Sequence, residues 1–205
     1  MFNTESLRIS LRITLQIQQT KMSCDLGNGR LEVCKDSIGG LDAVYFINFG
    51  DFNPEVDVTY DGTNADLITA IANVSACYKF SLKGTNSFTE TITSDRNNGT
   101  TFFSQELSIT LKKQDATTTK MVKLLAYGRP HIIVRGRDNT YRIAGLRRGM
   151  DVTTGTIVSG AEAGDLNGYT LTFTGMENIP ANFINCNTEA GLLADLSPLA
   201  SFTTT

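Results

Sequence analysis

Tyr78–Lys83, Ser87–Thr93 and Thr101–Lys112 each alternate apolar and polar residues, the period of two that gives a strand one buried and one wet face. In the third, Phe103, Leu107, Ile109 and Leu111 fall on one side, and Ser104, Glu106, Ser108, Thr110 and Lys112 on the other. Ser94–Gly99 is too polar for a strand and ends in Asn98-Gly99, so it predicts a projecting hairpin loop. From Gln114 the period becomes helical. Met121, Val122 and Leu125 share a stripe, Asp115 or Thr117 can cap the N-terminus, and Gly128 stops the helix. The stretch predicts three strands followed by one helix, a sheet with a lid.

The same reading extends to both sides. Leu7–Gln18 places Leu7, Ile9, Leu11, Ile13, Leu15 and Ile17 on one side and polar residues on the other. It reads either as an amphipathic strand in need of a partner sheet or, because Met22 resembles a natural start, as an upstream segment or arm. Gly39–Gly50 predicts a buried strand and Val56–Tyr60 an alternating one, and Leu67–Ala72 is read as a strand over a helical turn. Beyond the helix, His131–Arg135 and Thr140–Ala144 flank a turn at Arg137–Asn139, Gly145–Gly149 loops out, and Gly155–Gly160 is strand-like. Tyr169–Gly175 sends Tyr169, Leu171 and Phe173 inward and its threonines outward. From Pro180 the pattern fades, with a short helix at Thr188–Leu196 and a tail from Pro198. The expected fold is mainly β: an antiparallel β-sandwich or barrel with one flanking α-helix and extended terminal arms.

Composition narrows the chemistry. A chain of 205 residues, 40% hydrophobic, is long enough for a real core, and no apolar run is long enough for a membrane helix. The first residues show no export signal, and a net charge of −3 gives no general pull toward nucleic acid. Arg129, Arg135, Arg137, Arg142, Arg147 and Arg148 nonetheless share a short stretch with Asp138 as its one acid, which predicts a basic edge facing solvent or another subunit. Cys24, Cys34, Cys77 and Cys186 form no CxxC pair, so reduced thiols are expected, although a Cys24–Cys34 bridge fits a hairpin. His131, the one histidine, follows Pro130 in an apolar strand and reads as a packed imidazole without a nucleophile nearby. Asp51 with Glu55 and Asp57, and Glu162 with Asp165, lack calcium-loop spacing. No catalytic, cofactor or metal residue is assigned, and no enzyme is expected.

What stands out is the polar side of the strands: Ser87, Thr89, Thr91 and Thr93, then Ser104, Ser108 and Thr110, then Thr170, Thr172 and Thr174. Threonine keeps strand propensity while staying hydrated. Such a face is an ordinary solvent surface, or it lines a pore or meets another subunit. The order of a Ser-Phe-Thr-Glu-Thr hairpin at Ser87–Thr91, an Asn-Asn-Gly loop, a long alternating strand and a helix leads into three further stretches, Asp138–Gly145, Gly149–Gly155 and Gly164–Glu177. Together they resemble tail tube proteins and related tail or neck ring proteins of tailed bacteriophages, of the Bacteroides-phage or crAss-like type, over about Met22–Phe183.

The resemblance implies residues 1–21 as an N-terminal extension or arm without counterpart, 22–183 as the tail-tube-like sandwich and 184–205 as a C-terminal tail or arm. It implies a homo-oligomeric ring, usually sixfold and able to stack, with other tail or neck proteins as neighbours and DNA in non-specific passage. No cofactor and no membrane are involved. The location would be the virion tail or neck, after synthesis in the host cytoplasm. Thr89, Thr91, Ser108 and Thr110 would face an uncharged, wet lumen. Asp95, Arg96, Asn97 and Asn98 would touch the next ring, and Arg135, Arg137, Arg142, Arg147 and Arg148 would lie outside or at a subunit edge. The alternative is a β-sandwich binding module for a receptor or glycan. It calls for aromatic loop tips, which Ser94–Gly99 and Glu162–Asn167 lack.

Overall fold

The computed structural model describes residues 28–32 and 34–204. The chain divides into two units, 1–36 and 37–205, and every element below belongs to the second. The alternating stretch Leu7–Gln18 and the Cys24 half of the possible bridge lie outside the described residues.

The architecture is mainly β, with 42% strand against 11% helix in two open sheets, so the sandwich is borne out and a closed barrel is not. The strands β1 (Leu41–Ile47), β2 (Val58–Tyr60), β3 (Leu67–Ile71), β4 (Tyr78–Ser81), β7 (His131–Gly136), β8 (Tyr141–Ala144) and β11 (Asn182–Ile184) form a seven-stranded sheet in the order β2-β3-β11-β8-β7-β1-β4. The strands β5 (Ser87–Asp95), β6 (Thr100–Lys112), β9 (Asp151–Val158) and β10 (Gly168–Glu177) form a four-stranded sheet in the order β5-β6-β10-β9. Neighbours are antiparallel except the β3–β11 pair, which is parallel.

The first strand shows why the large sheet sits in the middle. β1 is apolar on both faces, as its place between glycine breaks predicts. Val44 and Phe46 face the four-stranded sheet and pack with Leu107, Ile109, Leu171 and Phe173. Ala43, Tyr45 and Ile47 face the other way, toward Ile68, Ile71, Leu192 and Leu196. Two cores therefore lie on either side of the seven-stranded sheet.

Two sequence expectations are corrected here. Tyr78–Lys83 does not join the hairpin that follows it. Val44 pairs with Phe80 and Phe46 with Tyr78, so β4 is an edge of the large sheet, and the chain changes layer past Gly84, whose φ of 98° suits a residue without a side chain. The segment from residue 184 on, expected as a tail or arm, covers the second core. Helix α2 (Glu189–Asp195), capped by Thr188, buries Leu192. Ser197 N–H donates to Ile71 O, Thr203 N–H to Cys77 O, and the Phe202 ring lies 5.0 Å from Tyr45. These contacts are short and aperiodic, so no run of sequence announces them.

Helix α1 (Ala116–Tyr127) forms where its caps place it: Asp115 Oδ1 accepts Thr118 N–H at 2.8 Å, and Gly128 N–H closes on Leu124 O. Tyr169 on β10 donates its hydroxyl to Asp115 O at 3.0 Å and so fixes the helix start against the small sheet. Among the described residues no helix is long and apolar enough to cross a membrane.

If the C-terminal segment is part of the core, Leu192→Ala leaves a cavity under the large sheet and costs about 2–5 kcal/mol of unfolding free energy. Urea unfolding should show one cooperative loss; an unchanged midpoint would make the segment an accessory arm.

Candidate functional site

The outer face of the four-stranded sheet is built by register. Ser87, Ser108, Thr172 and Thr154 stand opposite one another across β5, β6, β10 and β9, a row of hydroxyls through the whole sheet. Thr110, Thr170 and Thr156 make the next row. The row on the other side is Thr89, Glu106, Thr174 and Asp151, and beyond it stand Thr91, Ser104 and Met176. The four lumen candidates Thr89, Thr91, Ser108 and Thr110 thus share one face, the first two exposed and the last two half-buried. The face is not uncharged as expected: Glu106 and Asp151 flank Thr174, and Lys112 stands at its end beyond Thr110. Asp151 escaped the sequence reading because β9, an exposed edge strand, shows no alternation.

Among the described residues, both outer strands of this sheet have a single strand partner, β5 pairing with β6 and β9 with β10. Each leaves a row of backbone N–H and C=O groups without a ladder, nine residues long on β5 and eight on β9. On the inner face each edge also exposes an isoleucine. Ile92 opposite Phe103 is 66% exposed, and Ile157 opposite Tyr169 is 55% exposed. No sequence signal distinguishes these two from core residues.

The hairpin loop is a rigid turn. Asp95 Oδ1 accepts Asn97 N–H at 2.8 Å, Asp95 Oδ2 accepts the Asn98 amide at 2.6 Å, and Gly99 has φ 63°. Arg96, Asn97 and Asn98 are exposed at its tip, while Asp95 is half-buried.

The five basic candidates do not form one patch. Arg142 shares a side of the large sheet with Val134, and its guanidinium carbon lies 5.6 Å from the Phe88 ring centre and 5.4 Å from that of Phe183. Arg135 lies on the opposite side, by Tyr141 and Asn139. Arg137 sits in the β7–β8 turn, 3.6 Å from Asp42. Arg147 and Arg148 stand on the Gly145–Gly149 loop at the other end of these strands. Alternation and a reversing turn disperse what sequence proximity gathers.

That loop is held by polar side chains the sequence did not single out. Glu177, buried on β10, accepts Arg147 N–H at 2.9 Å and Arg148 N–H at 2.7 Å through Oε1. Gln105, buried at an inward position of β6, accepts Gly145 N–H at 2.7 Å and donates to Glu90, which also accepts Ala181 N–H. Gly149, at φ 73°, has no room for a side chain: a Cβ there would collide with the Arg129 carbonyl. His131 completes this end. Its Nδ1–H donates to Gly145 O at 2.7 Å, its Nε2 has no partner, and Phe49 and Phe52 pack on the ring at 5.1 and 4.5 Å.

Other reactive side chains are muted. Burial pushes the Cys77 and Cys186 thiols up to about 12, so neither is a thiolate near neutrality. Among the described residues no three His, Cys, Asp or Glu side chains come together as a metal-holding group. No family model, no curated protein and no solved structure matches the chain.

Burial, the largest cause, holds the His131 pKa below its ordinary 6.5. The unfolded chain takes up a proton as pH falls through that value while the native state resists. The stability linked to His131 is therefore complete above pH 6.5 and is lost toward the lower native-state value. Urea midpoints measured from about pH 7.5 to 5 should decline, and His131→Gln should flatten the decline. An equal slope in the variant would assign the pH dependence elsewhere.

Proposed function

We propose that this chain is a non-enzymatic structural protomer. Copies join head-to-tail in a ring around a lumen, as the tail tube or a tail or neck ring of a tailed-bacteriophage virion through which DNA passes. The observation that carries the reading is the pair of edge strands that, among the described residues, have a single partner each, both with an exposed isoleucine on the core-facing side. Joining β5 of one copy to β9 of the next continues the sheet, supplies partners for both unpaired ladders and covers Ile92 and Ile157. Because the two surfaces differ, the contact is heterologous and propagates until rotation closes it.

In such a ring the hydroxyl face lines the lumen. Hydroxyls hold water, and Glu106 and Asp151 repel phosphate, so apart from Lys112 at the end of β6 these rows offer no counter-charge by which the backbone of DNA could be gripped. The tip Asp95–Asn98 reaches the adjacent ring when rings stack, and the dispersed arginines stay off the lumen. Assembly in the host cytoplasm and residence in the virion tail or neck belong to the same reading.

Negative-stain electron microscopy of the protein over a concentration series should show rings or tubes with a central hole. Ile92→Lys and Ile157→Lys each put a charge where the neighbouring sheet would join. Both side chains are already more than half exposed, so each variant should fold normally and form no rings. Rings in both variants, or none in the parent protein, would contradict the reading. Deleting Asp95–Asn98 should leave single rings and remove stacking, and unchanged tubes would take that role from the loop.

A further inference from the structure

A groove of about 610 Å³ opens between α1 and the β1–β4 edge of the large sheet. Phe46 and Phe80 meet edge-on at 5.1 Å in its wall, with Met121, Leu124 and Leu125 from the helix. Leu124 is 59% exposed there. Among the described residues, the charged ones lining it are Lys120 and Arg129, with no acid. The adjoining hollow between α1 and β4 adds Lys83, Lys112 and Lys79, the last paired with Glu189 at 2.6 Å, and among the described residues no acid lines it. An apolar floor with a cationic rim fits an apolar anchor flanked by carboxylates.

The same fold presents such an anchor. The turn Asn53–Asp57 carries Val56 at its tip, 76% exposed, with Glu55 beside it. The turn is braced: Asn53 N–H donates to Asp57 Oδ2 at 2.6 Å, Glu55 N–H to Asn53 Oδ1 at 3.0 Å, and Asp57 N–H to Asn53 O at 2.8 Å. A rigid protrusion loses little conformational freedom on docking. Glu55 has Arg147 at 4.0 Å as its ion-pair neighbour, with most of its side chain in solvent. Residues 53–57 do not line the groove of their own chain.

We propose that the groove beside α1 is a socket for the Asn53–Asp57 turn of a second copy. Val56 enters against Phe46, Phe80 and Leu124, while Glu55 pairs with Lys120 or Arg129. The proposal deepens the ring reading by naming a further contact between copies, and it rests on that reading only in taking a second copy as occupant. The contact is heterologous and charge-paired, so it weakens as salt rises.

The test uses full-length chains in an Ile92→Lys background, which removes the edge contact. Val56→Asp disables the turn and Leu124→Asp disables the socket; both positions are exposed, and circular dichroism checks the fold. In sedimentation velocity each variant alone should self-associate at least about tenfold more weakly than the background protein. Their equimolar mixture should give a heterodimer and stop there, because one intact turn meets one intact socket and the other two halves are dead. Rings from the parent protein but no heterodimer from the mixture would overturn the socket and leave the ring reading standing. A heterodimer without rings from the parent protein would uphold the socket and remove the ring reading. A duplex oligonucleotide that binds the background protein, loses binding on Lys120→Glu and keeps it on Leu124→Asp, with no heterodimer formed, would overturn the proposal in favour of a nucleic-acid surface.

Discussion

The pairing of β6 with β10 holds the small sheet in its working orientation. Leu107 opposite Phe173 and Ile109 opposite Leu171 turn inward on the large sheet, and that choice sends Ser108 opposite Thr172 and Thr110 opposite Thr170 outward. A slip of one residue would drive the hydroxyls into the core and the apolar rows into water, so burial of one face specifies the chemistry of the other. Tyr169 then ties α1 to β10, and Gln105 of β6 and Glu177 of β10 tie the Gly145–Gly149 loop to the pair from the far end.

The layers are unequal. The large sheet has apolar residues on both faces and is covered on both, by the small sheet on one side and by α2 with the C-terminal segment on the other. Among the described residues, the small sheet is covered on one face and its two outer strands, β5 and β9, each have one strand partner. Natural proteins protect such edges with charge, proline or a covering segment. Here β9 is threonine-rich, β5 carries Ser and Thr along its wet face, and the uncovered isoleucines lie where a further strand would hide them. A protomer whose exposed defects fall at the two ends of one sheet is suited to copies that repair each other in sequence. In the proposed ring the hydroxyl rows would face the lumen, with Glu106, Asp151 and Lys112 among them.

Much of this was legible before the structure. Strict alternation in Thr101–Lys112 and Tyr169–Gly175 marked the two central strands with their inward and outward faces, and the period change at Gln114 marked α1 with its Asp115 cap. Hidden features had physical causes. β9 buries almost nothing, so Asp151–Val158 carries no hydrophobic period. β11 is three residues long and pairs with strands far away in sequence. The C-terminal segment is held by single bridges and isolated side chains such as Phe202. Arg135 and Arg142 looked like members of one patch because sequence shows proximity along the chain and not the side of the sheet each residue takes. Ile92 continues the inward alternation of β5, whereas Ile157 lies on β9, where no alternation marks either face; both are exposed.

The proposed ring depends on the joining of β5 to β9 across copies, and backbone amide exchange reads that contact directly. Hydrogen–deuterium exchange should be followed on β5 and β9 at dilutions where the protein is monomeric and at concentrations where it assembles. Amides on both edges should exchange rapidly when dilute and become protected together on assembly, with β1 protected throughout. Assembly that leaves the edges exchanging as in the monomer, or protects one edge without the other, would contradict it.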